Sequence, residues 1–115
     1  MRFLVTGGTG AIGSWVTREL LERGHEVAVY DLRPDLLLLS DIKDNFQLIV
    51  GDVGDLSGLM RAAKAFKPDR IIHLAIVLWG DHQPMVGFQI NAGGMQHVLE
   101  TAVVFDCDRV VYTSS

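Results

Sequence analysis

Short runs of aliphatic and β-branched residues alternate along the chain with segments whose apolar positions recur every three or four residues. Residues 3–5 predict a first strand, followed by a glycine turn and a helix over 11–23. On that helix Ile12, Val16 and Leu20 share one face, and Gly24 suits its C-terminal stop. Residues 26–30 predict a second strand, 35–43 a weakly helical stretch after Pro34, and 46–50 a third strand. Leu56, Leu59, Met60, Ala63 and Phe66 then fit one helical face, closed by Lys67-Pro68. Residues 70–74 predict a fourth strand. A long helix over 85–105 follows, with Met95, Val98, Ala102 and Phe105 on one side, and residues 109–113 predict a fifth strand.

Strict alternation of strand and helix, with strands apolar on both faces, points to an α/β fold with helices on both sides of a parallel sheet. With right-handed crossovers, and with the first three strands running one way and the fourth crossing back, the expectation is a Rossmann-type, doubly wound sheet of five strands in the order 3-2-1-4-5, truncated after strand five. Strand five becomes an open edge in this arrangement. The helix-one side of strands four and five has no covering helix, so Ile71, Ile72, Val110 and Val111 should leave apolar surface bare. Self-association, or a partner on the strand-five side, is the expected consequence. Leu36-Leu37-Leu38-Leu39 cannot all face one side of a helix; core packing with one or two exposed leucines is expected.

Composition narrows the picture. The 115 residues fit one domain over 1–115 and no second domain of ordinary size. The formal charge of −4 weighs against nucleic acid or an anionic membrane as partner. No apolar run reaches the roughly 18 residues of a membrane span. A single cysteine, Cys107, excludes an internal disulfide and makes a reducing, cytoplasmic setting the expectation. His25, His73, His82, His97 and Cys107 show no metal-ligand spacing, so no metal site is expected.

The candidate chemistry sits in three turns. Gly7, Gly10 and Gly13 have G-x-x-G-x-x-G spacing between the first strand and the first helix. Glycine there permits a tight turn, approach of backbone to a pyrophosphate, and close packing of helix on strand. Thr9, Ala11 and Ile12 complete the loop, and the helix N-terminus offers free N–H groups to phosphates. Asp31 ends the second strand, 18 residues after Gly13, where a carboxylate accepts from ribose hydroxyls and repels a 2′-phosphate. That favours NAD over NADP, although Arg33, beside Leu32, could instead hold a phosphate or lie solvated on the surface. Gly51-Asp52-Val53 ends the third strand. Asp52 could accept from an exocyclic amine there, and Val53 could offer its backbone amide.

These pieces, with Ile72-His73-Leu74-Ala75, Asn91-Ala92-Gly93-Gly94 and Val111-Tyr112-Thr113-Ser114-Ser115, resemble the extended short-chain dehydrogenase/reductase family in its NAD-dependent epimerase/dehydratase branch. The resemblance implies that Leu74 and Ala75 pass the pyrophosphate and nicotinamide ribose, and that His73 either joins them or is simply packed. It implies that Asn91 supports the catalytic geometry and that Ser115 hydrogen-bonds a substrate hydroxyl. It also implies hydride transfer on a nucleotide sugar or similar small molecule. The branch's Tyr-x-x-x-Lys is absent: Tyr30 has Pro34 four residues on, and Tyr112 is three residues from the last. Tyr112 reads instead as a packed strand aromatic, and the chain alone is expected to be catalytically incomplete. A non-catalytic NAD-binding or partner-binding module, or a truncated relic, is the alternative.

Overall fold

A computed structural model describes residues 1–78 and 83–114. Five parallel strands, β1 (Arg2–Thr6), β2 (Glu26–Asp31), β3 (Gln47–Val50), β4 (Arg70–His73) and β5 (Arg109–Tyr112), form one sheet in the order β3-β2-β1-β4-β5. Helices α1 (Ala11–Glu22), α2 (Leu56–Phe66) and α3 (Pro84–Val104) connect them. The predicted α/β sheet and strand order are observed. Because connections leave β1 and β4 toward opposite sides of the sheet, a crevice opens at the C-terminal ends of the strands.

Register shows how sequence alternation becomes two cores. Leu48, Val29, Val5, Ile72 and Val111 are successive partners across all five strands. Val5 and Val29 of this row are buried on the α1 side, with Leu20, Leu21 and Ile72 packed against them. The neighbouring row contains Ala28, Leu4, Ile71 and Val110. It faces the other way and joins Leu59, Phe66, Val98 and Ala102 from α2 and α3. Burying a side chain such as Leu59 completely is worth about 2 kcal/mol by area.

Helix α1 differs from its expected amphipathic reading. Ile12 is 62% exposed and Val16 and Leu20 are only half-buried, whereas Gly13, Ser14 and Thr17 are the buried positions. The cause is the closeness of helix and loop: a Cβ at Gly13 would overlap the Gly7 carbonyl oxygen. Only small side chains fit that approach, so the bulky apolar residues are displaced to the flank.

Three further expectations are corrected. Residues 35–43 hold only a 3-10 turn at Leu37–Leu39, with Leu37 and Leu38 exposed and Leu39 buried. The side chain of Asp35 accepts from Leu37 N–H at 3.0 Å, a local turn that competes with a longer helix. Tyr112 is 57% exposed rather than packed, because β5 is the sheet edge. On α3 the buried positions are Gly94, Val98, Thr101 and Ala102, a face shifted from the expected one, with Met95 and Phe105 half-buried. Of the four residues expected to be bare beside strand five, Val111 is 46% exposed, Ile72 and Val110 are half-buried, and Ile71 is fully buried, because its row packs under α2 and α3. Tyr112, Val103 and Val104 are exposed as well.

Candidate functional site

The crevice is a cleft of about 1270 Å³ whose walls come from five parts of the chain. Gly7, Thr9, Gly10 and Ala11 of the glycine loop form its floor; Asp31, Leu32 and Arg33 close one end. Asp52 and Val53 line it after β3, Leu74 and Ala75 after β4, and one face of α3 forms the far wall. Of the loop residues assigned to the cofactor, Ile12 and Gly13 do not line the cleft. Gly13 packs against the loop, and the Ile12 side chain points to solvent. Ser115 lies outside the described residues, as do Trp79 and His82.

The glycine loop is shaped by two close approaches. Gly7 has φ +70°, and a Cβ there would sit 2.8 Å from Ala75 N, so the loop and the end of β4 touch backbone to backbone. Gly10 precedes α1 without a side-chain cap, and no acidic residue lies in the first turn. Among the described residues, the N–H groups of Ala11, Ile12 and Gly13 have no acceptor outside the helix, whereas Ser14 N–H bonds Gly10 O at 2.8 Å. Of these three, Ala11 lines the cleft, and an uncapped donor at the positive end of a helix matches a phosphate. The residues present therefore fit the pyrophosphate of a dinucleotide.

At the β2 end the Asp31 carboxylate is held on three sides. Its Oδ2 accepts from the Thr9 hydroxyl at 2.7 Å and the Thr9 N–H at 3.2 Å; its Oδ1 accepts from Arg33 N–H at 3.2 Å. At the β3 end the Asp52-Val53 dipeptide is anchored by both carbonyls. The Tyr30 hydroxyl donates to Asp52 O at 3.0 Å, and His97 Nδ1 donates to Val53 O at 2.7 Å. Asp52 Oδ1 accepts from Gly54 N–H, while Oδ2 and Val53 N–H have no partner among the described residues. One acceptor and one donor are thus left side by side. Burial, with the nearby Asp55 and Asp52 charges, raises the Tyr30 pKa, so this phenol stays a neutral donor.

At the β4 end a buried polar pair holds the backbone. The Thr6 hydroxyl accepts from Leu74 N–H at 3.1 Å and Ala75 N–H at 3.3 Å, and lies 2.7 Å from His73 Nδ1. With both lone pairs used, its single proton goes to Nδ1, which fixes His73 as the neutral tautomer protonated at Nε2. Desolvation by burial lowers the His73 pKa in agreement. His73 does not line the cleft. Asn91 is likewise outside the lining; its amide accepts from Val77 N–H at 2.9 Å and donates to Val77 O at 3.1 Å. It clamps the segment leaving β4.

Several lining residues are not singled out by the sequence pattern, Tyr30, Asp35, Gln89 and His97 among them, and Gly93 and Gly94 enter only as part of the family resemblance. Gln89, Gly93, Gly94 and His97 recur at helical spacing, a signal hidden because the same helix also carries an apolar stripe. No group of His, Cys, Asp or Glu among the described residues could hold a metal ion. No helix among them is long and apolar enough to cross a membrane.

Comparison with known proteins gives this geometry a context. CDP-glucose 4,6-dehydratase of Salmonella typhimurium is 34% identical over 107 residues, 87% of this chain and 30% of that protein. The 3 beta-hydroxysteroid dehydrogenase/Delta 5-->4-isomerase of Mycobacterium tuberculosis is 33% identical over 121 residues, 99% of this chain and 31% of its own length. The chain thus spans about a third of the curated relatives it matches. The structure of Thermus thermophilus UDP-glucose 4-epimerase in complex with NAD superposes with a TM-score of 0.84 and 32% identity. That match covers 100% of this chain and 38% of the epimerase. The model of the NAD dependent epimerase/dehydratase family matches residues 3–115, and the chain belongs to that family.

Proposed function

We propose that this chain is the NAD-binding portion of an epimerase, dehydratase or reductase that acts on a hydroxyl or carbonyl carbon of a nucleotide sugar or similar small molecule. The observation carrying this reading is convergence: every residue assigned to the cofactor except Ile12 and Gly13 lines one cleft. The amides at the start of α1 would hold the pyrophosphate, with Ile12 and Gly13 contributing backbone only. Asp31 would take the adenosine ribose, with Leu32 and Arg33 flanking it. Val53 N–H and the Asp52 carboxylate would meet adenine edge-on, and Leu74 and Ala75 would pass the nicotinamide half. When bound, the nicotinamide ring supplies a hydride acceptor and donor.

NAD is favoured over NADP because a 2′-phosphate would meet the Asp31 carboxylate. Asn91 would support the geometry by holding Val77, and Ser115 would orient a substrate hydroxyl. Within these 115 residues no Tyr-x-x-x-Lys exists to move the proton, so the chain alone should bind cofactor without turnover. Calorimetric titration with NAD and NADP tests the reading. A measurable NAD affinity that falls about tenfold or more in Asp31→Ala supports it; absence of binding to either dinucleotide overturns it.

The exposed Val111, Tyr112, Val103 and Val104 favour one addition, self-association or a partner on the β5 side. Light scattering that reports a monomer at high protein concentration would remove the self-association reading.

A further inference from the structure

The Asp31 carboxylate is more constrained than an acid at a strand end needs to be. Thr9 gives it two hydrogen bonds on Oδ2, and Arg33 N–H occupies one side of Oδ1. A carboxylate offers about four lone-pair positions, so a single one, on Oδ1, remains open. Thr9 is itself pinned, since its hydroxyl accepts from Asp35 N–H at 3.2 Å while donating to Asp31. The Thr9 hydroxyl therefore ties the glycine loop to both ends of the segment that follows β2. Thr9 is only 6% exposed, so water competes little for these bonds.

The charges around this point are opposed. Asp31, Arg33 and Asp35 all line the same end of the cleft. Asp35 is turned back on its own backbone at Leu37. The Arg33 side chain has no ion-pair or hydrogen-bond partner among the described residues. An arginine beside a ribose site attracts a 2′-phosphate, and a fixed carboxylate repels it. Which of the two wins depends on whether the carboxylate is kept in place.

We infer that Thr9 is a positioning residue for cofactor selectivity: its hydroxyl fixes Asp31 with one open lone pair toward the ribose and so sets the preference for a free 2′-hydroxyl over a 2′-phosphate. The inference rests on the NAD-binding reading above. Without the hydroxyl, Asp31 loses its shortest hydrogen bond and can swing away. Arg33 then meets the 2′ position with less opposition.

The test is titration of the 115-residue chain and its Thr9→Val, Thr9→Ala and Thr9→Ser variants with NAD and with NADP, alongside thermal unfolding. Thr9→Val should reduce the ratio of NAD to NADP affinity about tenfold, the size expected when a charge-assisted hydrogen bond is removed. Thr9→Ser, which keeps the hydroxyl, should restore the ratio. If valine prevents folding, the alanine variant carries the measurement. A ratio that stays constant or rises in a folded variant, even with a lowered unfolding midpoint, makes Thr9 a purely structural residue and overturns the inference. Failure of the parent chain to bind either dinucleotide instead overturns the NAD-binding reading, and the inference with it.

Discussion

Val29 and Val111 belong to the same cross-strand row and face the same side of the sheet, yet Val29 is inaccessible and Val111 is 46% exposed. Between them stand Val5, fully buried, and Ile72, half-buried. Burial falls from β2 toward β5 because α1 covers the former and nothing among the described residues covers the latter. The next row repeats the trend, from Tyr30, Thr6 and His73, all buried, to Tyr112 at 57% exposure. The same residue types in the same pleat thus have different energetic weight, decided by the layer outside the sheet.

The largest expected effect sharpens this contrast. Val29→Ala should cost about 2 kcal/mol of unfolding free energy in urea titration, from lost burial and the cavity left behind. An effect below about 0.5 kcal/mol there would break the comparison. Next is the clamp beyond β4: Asn91→Ala should cost about 1–2 kcal/mol and speed amide exchange at Val77, since two hydrogen bonds end on one side chain. Unchanged exchange at Val77 would show that something else holds the segment.

A smaller, pH-dependent effect comes from His73. Its folded-state pKa lies below the ordinary 6.5 because the ring is buried. Between that lowered value and 6.5 the unfolded chain binds more protons, so stability rises with pH there and is complete above about 6.5. Acidification through this window should remove at most about 1.4 kcal/mol per pH unit. Chemical denaturation from about pH 7.5 to about pH 5 in the parent and in His73→Asn should show a steeper loss in the parent. Parallel curves would count against the buried neutral imidazole. The smallest effect is expected at the open edge, where Val111→Ala should change stability by less than about 0.5 kcal/mol.

Much of the architecture is legible in the sequence. Strand order follows from alternation and crossover handedness once the fourth strand is taken to cross back past the first, and Gly7, Asp31 and Asp52 can be placed on one crevice because each lies at or just past the end of a strand. The α1 face is not legible in the same way. Periodicity reports which residues are apolar, whereas the Gly7–Gly13 approach decides which are small enough to face inward. Tyr112 escapes for a related reason: a strand's apolar side is packed only where another layer reaches it. The roles of Thr6, Tyr30 and His97 are invisible beforehand, since each depends on a hydrogen bond to residues 22 to 69 positions away.

The bond between Thr6 and His73 also says something about the order of assembly. Its partners are 67 residues apart, and it belongs to the pairing of β1 with β4 at the centre of the sheet. During synthesis at about 5–20 residues per second, β1 emerges first and waits several seconds or more for that neighbour. Until then one edge of the future central strand is unpaired. Parallel pairing at this sequence separation is slow to close. The middle of the sheet is consequently the stretch most in need of protection while the chain is being made.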